Sequence, residues 1–213
     1  MKGLLKTCAA VSLICLTGVS QAGVIFEDNF DSENGGVGAL NYNGFDNWSV
    51  ASGTVDLIGN GFYDFLPGNG LYVDLDGSTS NAGMMFHLET LTAGDYTLSF
   101  DLAGNHRNTS PEYTTANVGI VLGTGTSAST TVSLSRYQGF ETYSLDFTIS
   151  DLLATSIIAI SFAGAGGDNI GMLLDNIKLQ DKITEVSEPG SLGMMGIGLL
   201  GLGLVRRRLK QSA

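Results

Sequence analysis

Leu173, Asp175, Ile177 and Leu179 occupy alternate positions of one apolar run, and only one of the four carries a charge. Alternate side chains of a strand share a face, so Asp175 is expected in register with a buried face. An unpaired buried carboxylate is costly and must neutralise or find a partner. Two chemistries meet that need: a hydrogen-bonded Asp near a strand end, or a Ca²⁺ ion, which takes roughly six to eight oxygens. The opening run Phe26-Glu27-Asp28-Asn29 offers further carboxylates in Glu27 and Asp28. Asp74-Leu75-Asp76-Gly77 starts as a calcium loop does, but Met85 stands where that loop needs its closing Glu. Asp74 and Asp76 alternate with Leu71, Val73 and Leu75. A wet strand face ending in a turn accounts for them without metal.

Sugar recognition calls for an exposed ring and planar hydrogen-bonding groups. Gly61-Phe62-Tyr63-Asp64-Phe65-Leu66-Pro67 is the densest aromatic cluster and is flanked by glycines, which makes Tyr63 and Phe65 the candidate rings. The polar loop Asn105-His106-Arg107-Asn108 offers Asn105 and Arg107 as donors. A loop plug and a solvated hairpin tip are the plain alternatives. Trp48, the only tryptophan, is expected in the core, because Val50 follows on the same face. Catalysis has little footing. His87 and His106 show no zinc spacing, no Gly-x-Ser-x-Gly elbow occurs, and sequence alone does not pair carboxylates across a cleft.

The elements that would position these groups read as strands. Tyr96, Leu98, Phe100 and Leu102 alternate with Asp95, Thr97, Ser99 and Asp101, and Tyr143, Leu145, Phe147 and Ile149 alternate with polar residues in the same way. Shorter runs at 24–28, 48–50, 54–58, 71–75, 84–88, 118–122, 130–134, 156–162 and 172–179 complete about eleven strands, punctuated by Gly, Asn, Asp and Ser. No long segment holds helical spacing. The expected fold is all-β, a β-sandwich of the jelly-roll type spanning 23–180.

Both ends read as address labels. Residues 1–22 form a secretory signal, with Lys2 and Lys6 before an apolar stretch and Ser20-Gln21-Ala22 at the cleavage site. Both cysteines, Cys8 and Cys15, fall inside it, so the mature chain has no disulfide. Residues 181–186 read as a linker, and 187–210 as a tail: Ser187-Glu188-Pro189, a nearly charge-free run, then Arg206-Arg207-Arg208. The sixteen residues Gly190–Val205 reach roughly 24 Å as a helix, short of a ~30 Å hydrocarbon core. That suits a temporary inner-membrane anchor with its arginines cytoplasmic. Without both ends, four basic and twenty acidic residues remain, a net charge of −16. Such a surface repels nucleic acid and anionic lipid, and favours divalent cations and neutral polymers.

The tail resembles the PEP-CTERM sorting signal of Gram-negative bacteria, with Ser187 where the first Pro is expected. The resemblance implies cleavage near the signal by an exosortase-type membrane protease and release to the cell surface or extracellular matrix. Phe26-Glu27, Asn47-Trp48-Ser49-Val50 and Leu174-Asp175-Asn176-Ile177-Lys178-Leu179 resemble the galactose-binding-like and carbohydrate-binding-module jelly rolls. That resemblance implies an extracellular polysaccharide as partner and a structural calcium held by Glu27 or Asp28 with Asp175. The expected function is an exported matrix protein that binds carbohydrate and is not an enzyme. The alternatives are a structural or adhesive protein without sugar affinity and a glycan-cleaving enzyme.

Overall fold

A computed structural model describes residues 22–79, 82–107, 112–122, 127–150 and 155–182. The expected signal peptide, most of the linker and the sorting tail with Ser187, Glu188, Pro189, Arg206, Arg207 and Arg208 lie outside them. Eleven strands follow in order: β1 (Val24–Asp28), β2 (Ser49–Ser52), β3 (Asp56–Gly59), β4 (Leu71–Asp74), β5 (Met84–Leu91), β6 (Gly94–Ala103), β7 (Glu112–Leu122), β8 (Ala128–Leu134), β9 (Glu141–Ile149), β10 (Ser156–Ala163) and β11 (Leu173–Asp181). They form two sheets. One runs β3-β4-β11-β6-β9 with β1 also on β11, and the other runs β2-β5-β10-β7-β8. All named strand pairs are antiparallel.

Period two explains the layering. Tyr96, Leu98, Phe100 and Leu102 of β6 enter the core shared with Val118 of β7 and Ile158, Ile160 and Phe162 of β10. Phe100 meets Phe162 edge-on across the two sheets, ring centres 5.0 Å apart. Each such side chain contributes about 1.5–3 kcal/mol by leaving water. Trp48 is buried in this core, as expected, between Phe26, Phe30 and Phe162.

Two strands depart from simple alternation, and both matter for the sites. In β4 the inward residues Leu71 and Val73 are buried, but so are Tyr72 and Asp74 on the other face. A second apolar cluster covers that outer face: Ile58, Tyr72, Ala103 and Leu173, packed under Phe62, Phe65, Leu66 and Phe140. The expectation that Asp74 and Asp76 lie on a wet face is therefore wrong: the 60–70 loop folds back over β3 and β4, Arg107 and Gly171 close on Asp74, and the 164–166 segment closes on Asp76. Gly59 permits that fold. Its φ is +110°, and a Cβ there would lie 2.1 Å from the Gly70 carbonyl oxygen.

In β11 the phase flips. Leu174 pairs with Leu102, Asp175 with Asp101, and then Lys178 with Ser99, so β11 spends one residue more than β6 over this interval. Asn176 absorbs the bulge at φ +48°. Leu174, Ile177 and Leu179 consequently face the main core, while Leu173 joins the outer cluster. Asp175 follows Leu173 to the outer face, a correction to the expected register with the core. The cause lies in the sheet. β4 pairs with β11 at 173–174 and β1 with it at 177–180, so Asp175 and Asn176 fall where one edge partner replaces another.

Candidate functional site

The outer face of β3 and β4 carries the first candidate site. Asp56 and Asp74 are cross-strand partners there. Asp56 accepts from the Asn41 amide at 2.6 Å, the Ser78 amide at 3.1 Å and the Ser78 hydroxyl at 2.8 Å. Asp74 accepts from the Asp76 and Gly171 amides at 3.1 and 2.8 Å, and its other oxygen takes an ion pair from Arg107 Nη2. Burial pushes the Asp74 carboxyl up to about 8, against the pull of Arg107 and the two amides. Asp76 is fully buried and pushed up to about 6, again by burial first. Its Oδ2 accepts from the Gly166 amide at 2.7 Å, and its Oδ1 has no partner.

Arg107 is the hinge of this site. Its guanidinium lies 5.0 Å from the centre of the Phe65 ring and reaches down to Asp74, while its Nε is buried without a hydrogen-bond partner. Above it, Tyr72 donates to Asp64 at 3.1 Å and accepts from the Phe65 and Leu66 amides, which pins the aromatic loop in place. Burial raises the Tyr72 phenol to about 12. Tyr63, at φ +45°, stays 57% exposed. A pocket of about 100 Å³ opens here, lined by Tyr63, Phe65 and Arg107 together with Asp56, Asp74 and Ser78. Three of the four residues expected to contact sugar thus meet at one place. Asn105 does not: it is fully buried and accepts the Arg107 amide at 3.0 Å, holding the loop from beneath.

The second candidate is the corner where β1 gives way to β4 on the edge of β11. A cavity of about 500 Å³ is lined there by Glu27, Asp28, Asn29, Ser32, Asn47, Asn176, Ile177 and Lys178. Asp28 has both oxygens engaged, one by the Phe30 amide at 2.9 Å, the other by Asn47 Nδ2 and Trp48 Nε1 at 3.1 Å each. Glu27 pairs across from Lys178 and Asp28 from Ile177, so the two carboxylates alternate to opposite faces. Asp175 is buried and accepts from the Asn176 amide at 2.7 Å. Burial, then the neighbouring charges of Asp31, Asp101 and Asp28, raise its carboxyl to about 7. Glu27, Asp28 and Asp175 do not converge as a ready ligand set. Among the described residues no group of three carboxylate, histidine or cysteine side chains is placed to hold a metal ion.

The histidines serve packing. His87 stacks on Phe26 at 3.9 Å, with Nδ1 2.9 Å from the Asn47 carbonyl oxygen, and His106 lies edge-on to Tyr137. Asp56 and Asp74 are the site residues missed in the sequence. The Asp-x-Asp spacing singled out Asp74, but nothing local announced that the preceding aromatic loop, with Arg107, would cover it.

Comparison with known proteins adds three findings. Residues 185–208 match the PEP-CTERM protein-sorting motif. No curated protein matches the chain by sequence. Among solved structures, the chain is similar to the C-terminal family 22 carbohydrate binding module of Clostridium thermocellum Xyn10B, at 14% identity and a TM-score of 0.51 over 77% of this chain and 98% of the module. It is equally similar in fold to the CBM22-1 xylan-binding domain of Paenibacillus barcinonensis Xyn10C, at 11% identity and a TM-score of 0.51 over 78% of this chain and 100% of that domain. The chain thus joins a PEP-CTERM sorting motif to an all-β domain with the jelly-roll fold of carbohydrate-binding modules.

Proposed function

We propose that this is an exported protein, sorted through its PEP-CTERM motif to the cell surface or exopolysaccharide matrix, whose jelly roll binds carbohydrate at the Tyr63–Phe65–Arg107 pocket. In this reading an exosortase-type protease acts on the tail after transient inner-membrane anchoring. The observation that carries the binding site is a shared pocket. An exposed Tyr63 ring stands beside the Arg107 guanidinium and the Asp56 and Asp74 carboxylates. A sugar has one apolar face and a rim of hydroxyls, so it needs one ring to stack on and a few fixed polar groups to orient it. Arg107 carries five N–H donors and spends one on Asp74. Asp56 accepts three hydrogen bonds and a carboxylate has roughly four acceptor positions. Donor and acceptor capacity therefore remains for sugar hydroxyls.

The volume, about 100 Å³, is smaller than a whole hexose, so a sugar would stack on Tyr63 at the rim and insert only an edge or a substituent. A polysaccharide array probed with the full-length chain tests this. Binding that falls at least tenfold in Tyr63→Ala supports the pocket; binding unchanged by that substitution removes it. Failure to bind any polysaccharide favours the structural or adhesive alternative. We also propose a structural calcium at Asp175 with Glu27 or Asp28, its remaining oxygens supplied by backbone carbonyls and water. The motivation is that Asp175 is buried next to Asn176, which lines the same open cavity as Glu27 and Asp28.

A further inference from the structure

Among the described residues, sheet β2-β5-β10-β7-β8 presents an outer face without a charge. Across its middle, Leu88, Ala159 and Gly119 form one row, and Phe86, Ser161, Asn117 and Ser129 form the next. The acids of these strands point the other way: Glu89 pairs with the core residue Ile158, and Glu112 with Leu134. Leu88 in the middle row is exposed, as are Met84, Val121 and Leu122 at the margin. The outer face of the other sheet contrasts with this. Asp95, Asp101 and Asp146 stand on it, each accepting from a threonine hydroxyl at 2.6 Å.

We infer that this uncharged face is the contact between two copies of the chain, stacked sheet to sheet about a two-fold axis near Ala159 and Gly119. With −16 on the mature chain, most approaches of one copy to another bring carboxylates together. The β10-centred face avoids that repulsion, which favours a second copy over any basic or acidic partner. Ala159, Ser161 and Gly119 keep its centre low, and one twisted antiparallel face packs on another at about 10 Å with the strands within roughly 30°. Five strands at ~4.8 Å spacing and eight-residue strands at ~3.3 Å per residue give a face of roughly 24 by 26 Å. That is about 600 Å² in projection, and more once the side-chain relief is counted, against the ~800 Å² per partner of a standard interface. The inference is independent of the sugar pocket, which lies on the other sheet.

Gly119 offers a clean probe, since nothing lies within 4 Å of where its Cβ would stand and its φ is not positive. The test is the mass of the full-length chain in mild detergent by light scattering, for wild type, Gly119→Glu and Ala159→Glu. Wild type at twice the protomer mass near ~10 µM, with both variants at protomer mass and unchanged melting midpoints, is the expected result. Salt from ~50 to ~500 mM should tighten the dimer by screening the mutual repulsion. Wild type at protomer mass up to ~100 µM overturns the inference. A dimer that persists in both variants also overturns it and moves the contact to another surface. If Gly119→Glu does not fold, the wild-type mass and Ala159→Glu decide. A monomeric wild type whose polysaccharide binding is lost in Ala159→Glu overturns it too, and gives the face to a neutral polymer.

Discussion

Replacing Asp175 with Asn should stabilise the metal-free protein. The side chain keeps its shape, and Asn retains an oxygen for the Asn176 amide, now 2.7 Å from Asp175 Oδ1, giving up only the long 3.4 Å bond from Asn176 Nδ2. What disappears is the cost of ionising a buried carboxyl beside Asp31, Asp101 and Asp28. The sign follows from linkage. The folded carboxyl titrates at about 7 and an unfolded one near ~3.9, so the folded state holds the extra proton between them and stability falls as pH rises through this window. About three pH units correspond to ~4 kcal/mol above neutrality. The open cavity beside Asn176 admits solvent, which lowers the expected gain to about 2–3 kcal/mol at pH 8. In a domain of this size that is a rise of roughly 5–10 °C in melting midpoint. Thermal melts at pH 4 and pH 8 in chelator provide the assay, with no difference expected at pH 4. Millimolar calcium should raise the wild-type midpoint by mass action and leave Asp175→Asn unmoved. A variant destabilised in chelator at pH 8 would refute the electrostatic reasoning, and a wild-type midpoint indifferent to calcium would refute the metal.

Arg107→Met should be destabilised in a pH-dependent way. Asp74 titrates near 8 with Arg107 in place and higher without it, so the deficit should grow to about 2 kcal/mol by pH 9. Near pH 5, where the carboxyl is protonated in both proteins, only the lost contact with Phe65 remains, about 0.5–1 kcal/mol. Denaturant titrations at the two pH values decide, and a deficit independent of pH contradicts the pairing. Tyr63→Ala should lose polysaccharide binding while its stability stays within about 0.5 kcal/mol, because the ring is 57% exposed. A large loss of stability would make Tyr63 a packing residue.

Most of the scaffold was legible in the sequence because period two survives wherever a strand has one wet face. The alternation in β6 and β9 located those strands to within two residues of their ends. Trp48 and Val50 gave the core side of β2 for the same reason. The sites were harder, since both depend on what covers a strand rather than on the strand. β4 reads as half wet until the loop carrying Phe62, Phe65 and Leu66 closes over Tyr72, and Arg107 beneath Phe65 closes over Asp74. β11 reads as unbroken alternation until Asn176 takes a left-handed conformation and shifts the phase. Asn is among the residues that tolerate that conformation, but the reason for the bulge, an exchange of edge partners on β11, is a property of the assembled sheet. Asn105 read as a loop donor, but it is buried and its side-chain oxygen accepts the Arg107 amide.

The most direct test of a sorted, matrix-facing jelly roll is the intact mass of the protein recovered from the outside of the producing cells. The account predicts a chain that starts near Gly23 and ends close to Glu188, with Arg206, Arg207 and Arg208 gone and the strands from Val24 to Asp181 retained. A full-length chain that keeps its arginines and remains inside the cell would contradict it.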